Sequence, residues 1–205
     1  GDITIGAVEN VTLQNESSIG NLVASGSFGK DGDVVINARS LFLSNSTVSA
    51  IILGEGAGGN LTVKATDSIQ LIGTTAAGRS SGLFAQANSG SRGDAGDLSI
   101  ETRMLIVRDG AQVSSGTFGE GAGGNLTMKA TESIQLIGTR ADGQAPSGLF
   151  SQASSRGDAG NLSIETGTLI VRNGAQVGSG TRGSGAGGNL TMKATESVQL
   201  IGTTA

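Results

Sequence analysis

The stretch Gly58–Thr74 reads GGNLTVKATDSIQLIGT. It returns as GGNLTMKATESIQLIGT at Gly123–Thr139 and as GGNLTMKATESVQLIGT from Gly187, so the copies start 65 and 64 residues apart. A second string lies between them: GDLSIETRMLIVRDGAQVSSGT from Gly96 and GNLSIETGTLIVRNGAQVGSGT from Gly160, also 64 apart. A chain that copies itself at such a spacing is built of stacked units, each leaning on its neighbours.

The two strings are variants of one unit. Both open with Gly-(Asn/Asp) and run on as alternating apolar and polar residues. Aligning the openings places turns near residues 1, 32, 59, 96, 124, 160 and 188, which makes six full units and a partial seventh. Each unit holds three short apolar runs. They are Leu61–Lys64, Ile69–Ile72 and Leu83–Gln86 in the third unit, and Leu98–Glu101, Leu105–Arg108 and Ala111–Ser114 in the fourth. The runs are rich in Ile, Val, Leu and Thr and bounded by Gly, Asn, Asp and Ser, the chemistry of strands between turns. No segment keeps a helical period over the length a helix needs. The expected fold is all-β: a parallel β-helix with three short strands per turn and about six and a half turns.

Composition agrees. Of 205 residues 36 are Gly, where average usage is about 7%. Apolar residues still make up 36%, mostly aliphatic, enough for a core laid down in small pieces. The net charge of −4 is thinly spread, with no basic patch for nucleic acid. No run reaches the about 18 apolar residues of a membrane-spanning helix. With no Cys and no His, thiolate nucleophiles, disulfides and imidazole bases are excluded. No cofactor or metal site and no catalytic constellation is expected.

If turns stack, equivalent residues form columns. Four residues after the opening Asn or Asp the column reads Lys64, Glu101, Lys129, Glu165, Lys193, alternating in charge. The strand alternation turns this position outward, so oppositely charged neighbours would hold register, at about 0.2–1 kcal/mol per exposed pair. The opening column reads Asp2, Asp33, Asn60, Asp97, Asn125, Asn161, Asn189, suited to a side-chain ladder. The glycine before each supplies a tight corner, where its access to positive φ is useful.

Four motifs compete with this structural reading. Arg-Gly-Asp occurs at Arg92, Gly93, Asp94 and at Arg156, Gly157, Asp158, making these six the candidate recognition residues. Their setting, Gly-Asp-Ala-Gly-(Asp/Asn), reads first as turn chemistry. Asn60, Asn125, Asn161 and Asn189 stand in Asn-x-Ser/Thr sequons, which follow from the ladder. GEGAGGN resembles glycine-rich calcium repeats but lacks their nine-residue period. Glu101 and Glu165 fall about two turns apart with Lys129 between them, which favours a salt-bridge ladder over a catalytic pair. The loops Thr74–Ser81 and Thr139–Ser147 are long and dissimilar, and loops on a rigid scaffold carry recognition.

The strings GDAGDLSIETRMLIVRDGAQVSSGTFGEGAGGNLTMKATESIQLIGT and GLFAQA/GLFSQA resemble the repeats of filamentous haemagglutinin-like large exoproteins of the two-partner secretion family, cyanobacterial members above all. The likeness is close over Gly59–Ala205 and looser before it. It implies a right-handed β-helix, export through an outer-membrane transporter partner and a place outside the cell or on its surface. It also implies a structural or adhesive role in attachment, aggregation or matrix formation. On that basis the chain is expected to be an internal stretch of a longer rod or a unit that stacks end to end on copies of itself, with a cell-surface or glycan ligand. The chain opens on Gly1, as a fragment or processed product would. The alternative is a β-helix that binds or cleaves polysaccharide.

Overall fold

A computed structural model describes residues 1–202; residues 203–205, the end of the seventh unit, lie outside it. The described residues form strands and no helix, and the strands pair in parallel.

One sheet carries seven rungs in the order β1 (Ile3–Gly6), β5 (Val34–Ser44), β8 (Leu61–Ile72), β10 (Leu98–Arg108), β12 (Leu126–Ile137), β14 (Leu162–Arg172) and β16 (Leu190–Ile201); β2 (Asn10–Gln14) also pairs with β5. A second sheet stacks β3 (Ser18–Val23), β6 (Thr47–Ile52), β9 (Gly82–Ala87), β11 (Gln112–Thr117), β13 (Gly148–Ala153) and β15 (Gln176–Thr181). A third, short sheet pairs β4 (Phe28–Lys30) with β7 (Glu55–Ala57). Successive rungs come from successive turns, so this is a parallel β-helix, and each first-sheet rung begins directly after an opening Asp or Asn.

The three-strand expectation needs one correction. The first two apolar runs of a turn fuse into one long strand: Leu98–Glu101 and Leu105–Arg108 both lie in β10, and Leu61–Lys64 and Ile69–Ile72 both lie in β8. Only the first turn keeps them apart, as β1 and β2. The cause is a bulge. Pairing between β10 and β12 runs from Leu98↔Leu126 to Thr102↔Ala130, then resumes at Met104↔Ser133, so the odd-turn strand carries one extra residue. A bulge bends a strand without ending its ladder, so the chain rounds a corner while still hydrogen-bonded.

Inside the bore, like stacks on like. Leu61, Leu98, Leu126 and Leu162 are in register and fully buried. Beyond the bulge the column Ile69, Leu105, Ile134, Leu169 is equally buried. Each such side chain contributes roughly 1.5–3 kcal/mol. At the bend Ala65 and Ala130 alternate with buried Thr102 and Thr166, whose hydroxyls donate locally to the carbonyls of Met104 and Thr168 at 3.2 and 3.3 Å. Both buried hydroxyls of that column are thereby satisfied.

The opening glycines serve for a different reason than expected. None of Gly32, Gly59, Gly96, Gly124, Gly160 and Gly188 has positive φ. A Cβ at Gly96 would instead collide with the carbonyl oxygen of Gly59, and one at Gly124 with that of Gly96. Close approach of stacked backbones, not backbone freedom, requires glycine here. Positive φ is used at the next corner, where even turns reverse through Asp109–Gly110 and Asn173–Gly174.

Candidate functional site

The opening column forms a directional ladder. The carboxylate of Asp33 accepts the backbone N–H and the side-chain amide of Asn60 at 2.8 and 3.2 Å. The amide oxygen of Asn60 accepts the N–H of Asp97 at 3.0 Å, and Asp97 accepts both donors of Asn125 at 2.8 and 3.1 Å. Asn125 accepts both from Asn161, and Asn161 accepts the N–H of Asn189. Each side-chain oxygen thus satisfies a corner N–H of the following turn. Accepting that N–H needs only a side-chain oxygen, which Asp and Asn both supply, so the column mixes them. The sequon amides of Asn60, Asn125 and Asn161 are engaged in this ladder.

The Lys–Glu column also stands in register: Lys64↔Glu101↔Lys129↔Glu165↔Lys193. Lys64 and Glu101 close to 3.2 Å as an exposed ion pair. The remaining neighbours share the rung spacing without salt-bridge contact.

Arg92-Gly93-Asp94 is a rung of the third face. Arg92 and Asp94 point outward, while Gly93 is buried, where a Cβ would collide with Ile52 and the Gly56 backbone. Asp94 donates its N–H to Gly56 and accepts the N–H of Gly58 at its carbonyl. Its carboxylate accepts the N–H of Ala122. Arg156-Gly157-Asp158 repeats this two turns on, with the Asp158 carboxylate holding the N–H of Ala186 at 2.6 Å. The tripeptide lies flat on the rod with its backbone tied to both neighbouring turns.

Two charge ladders escaped the sequence reading. On the third face Glu55, Arg92, Glu120 and Arg156 alternate at 3.2, 3.6 and 3.8 Å, so the arginines of both tripeptides are ladder members. At the bulge Glu9 pairs with Arg39 at 3.0 Å, and Arg103 bridges Asp67 at 2.6 Å and Glu132. The hydrogen bond from Arg103, followed by its charge and that of Arg39, holds the Asp67 carboxyl below its ordinary value. The signal was present in the sequence: the acidic members Glu9, Asp67 and Glu132 stand seven residues after their openings, and Arg39 and Arg103 stand six after theirs. Counting at fixed distance hides the column, because the bulge adds one residue to odd turns.

The long loops fold onto the rod. Thr74–Ser81 and Thr139–Ser147 close as small hairpins through the bridges Thr74↔Ser80 and Thr139↔Pro146. Arg140 of the second loop donates to the Gly78 carbonyl of the first at 2.6 Å, spanning the short corner of the turn between them. The N–H of Ala76 reaches Glu16 of the first turn at 2.7 Å. Together the loops form one ridge along the rod.

Among the described residues, no three carboxylates gather closely enough to hold a metal ion. Compared with protein-family models, curated proteins and solved structures, the chain matches none of them, so the functional reading rests on this geometry and on the likeness of its repeats.

Proposed function

We propose that the chain is a segment of an extracellular or cell-surface fibre, a rigid β-helical rod that supports adhesion, aggregation or matrix formation. The observation that carries this reading is the continuity of the columns. The core columns and the opening ladder run turn after turn, and the Lys–Glu column follows them from the third turn to the seventh. Such a design provides length, stiffness and outward features at a constant pitch. Repetition along a rod lets weak contacts add by multivalency. The resemblance to filamentous haemagglutinin-like repeats supports the same reading and brings with it an outer-membrane transporter as export partner.

The test is electron microscopy combined with a surface-attachment assay on beads coated with the purified chain. Straight rods or end-to-end fibres with a ~4.8 Å axial repeat, on beads that attach to cells or to each other, are expected. Beads that attach no better than uncoated ones overturn the adhesive part. Turnover of a polysaccharide, abolished by Glu101→Gln or Glu165→Gln, would overturn the structural reading in favour of an enzyme.

A further inference from the structure

We propose that the solvent face of the second sheet is a binding groove for an extended, uncharged, β-linked oligosaccharide. This deepens the adhesive part of the proposed function, and rests on it for its biological setting.

The outward residues of that sheet are not a random surface. Three of the five Phe residues of the chain, Phe84, Phe118 and Phe150, line this face. A depression of about 640 Å³ opens between the loop Thr74–Ser81 and Phe118, over Ser49, Phe84, Gln86 and Gln112. A smaller one of about 160 Å³ continues from it towards Phe150, Gln152 and Gln176. The polar groups between the rings are amides and hydroxyls. Glu16 and Arg79 border the first depression and Arg182 the second. A groove of ring faces and neutral two-way hydrogen-bonding groups matches a sugar, which offers apolar C–H faces and hydroxyls that donate and accept.

The amides are pre-set. Gln86 donates to the Ser114 hydroxyl at 2.9 Å and Gln112 to the Pro146 carbonyl at 3.0 Å, which fixes both planes and leaves their oxygens to accept. A peptide adding as a strand finds no edge here, because β6, β9, β11 and β13 are each paired on both sides.

Spacing selects a linear repeating ligand. Phe84 and Phe150 flank Ser114 in the same register, and Gln112 and Gln176 flank Gly148. The lining therefore recurs every two rungs, roughly 10 Å at ~4.8 Å per rung, close to one disaccharide of an extended β-linked chain. The two subsites differ in depth. Phe84 is partly exposed, whereas Phe150 is 7% exposed and lies over Gly148, so ligand stacks on Phe84 and runs across Phe150 as floor.

The experiment is calorimetric titration of the whole chain with cellulose-, xylan- and chitin-derived oligosaccharides of increasing length. Binding to at least one series is expected, strengthening with length. Phe84→Ala and Gln112→Ala should each weaken it about tenfold (~1.4 kcal/mol), while Phe28→Ala, exposed outside the groove, should not. Phe84→Leu keeps an apolar side chain and removes the ring, so its loss of affinity separates stacking from misfolding. No binding in any series, unchanged affinity in Phe84→Leu, or capture of an extended peptide or acidic polymer at this face instead overturns the proposal. Coated beads that attach while no oligosaccharide binds sink the groove and leave the rod reading standing. Beads that fail to attach sink the adhesive reading whatever the titration gives.

Discussion

The carboxylate of Asp94 accepts the backbone N–H of Ala122, one turn further along the rod, at 2.7 Å. Asp94 is thereby a structural member of the third face. Replacing Asp94 and Asp158 by Glu spoils an adhesion tripeptide and is expected to leave attachment of animal cells unchanged. Asp94→Ala removes the acceptor for the Ala122 N–H and is expected to cost about 1 kcal/mol of stability. Thermal unfolding alongside cell attachment checks both. Attachment lost from a folded Glu variant would restore the receptor reading.

Close backbone stacking makes a sharp prediction at the glycine corner. Gly124→Ala drives a Cβ into the Gly96 carbonyl and is expected to destabilise by about 3 kcal/mol, as overpacking does. Gly138 has φ of 74° but open space where a Cβ would sit, so Gly138→Ala should cost only about 1–2 kcal/mol of left-handed strain. Denaturant titration of both variants measures the difference. Equal costs would mean that neighbouring turns separate easily.

Arg103 lies between two carboxylates, so its contribution depends on pH. The Asp67 carboxyl is held below its ordinary 3.8, first by the hydrogen bond from Arg103. A depressed folded-state value gives stability that is present above the unfolded value and lost as pH falls through the folded one. Arg103→Gln is therefore expected to lower the Tm at neutral pH, with the gap closing below pH 3.8 and narrowing in molar salt. Melting curves across pH and salt check this, and a gap independent of both would assign Arg103 a packing role.

Asp31 has the opposite sign. It is 6% exposed, its Oδ1 accepts the Gly32 N–H at 3.0 Å, and its Oδ2 has no partner. Burial raises its carboxyl above 3.8, against the hydrogen bond from Gly32, the nearby Gly59 N–H and the Gly1 amine, while the Asp33 charge adds to the rise. A raised carboxyl leaves the fold most stable below 3.8 and weakens it as pH rises through the folded value. Asp31→Asn is expected to raise the Tm at neutral pH and to match the parent below pH 3.8. A variant less stable at every pH would mean that the charged form is needed.

The β-helix itself, the inward Leu, Ile and Val columns and the Lys–Glu register were legible in the amino-acid sequence. Each depends only on the alternation of side chains along a strand and on near-identical repeats, and Leu61, Leu98 and Leu126 could not stack out of register without turning their neighbours into the core. Three things depended on the tertiary structure. The bulge fuses two runs into one strand and shifts Asp67 against Arg103, so their column appears only once the chain has bent. The opening glycines are required by a carbonyl in the neighbouring turn, which is distant along the chain. Phe118 lies just past the end of β11, so its place beside the equivalent repeat residues Phe84 and Phe150 is set by the path of the chain beyond Thr117. Local periodicity is written along the chain, whereas contacts between turns are set by how the intervening corners close.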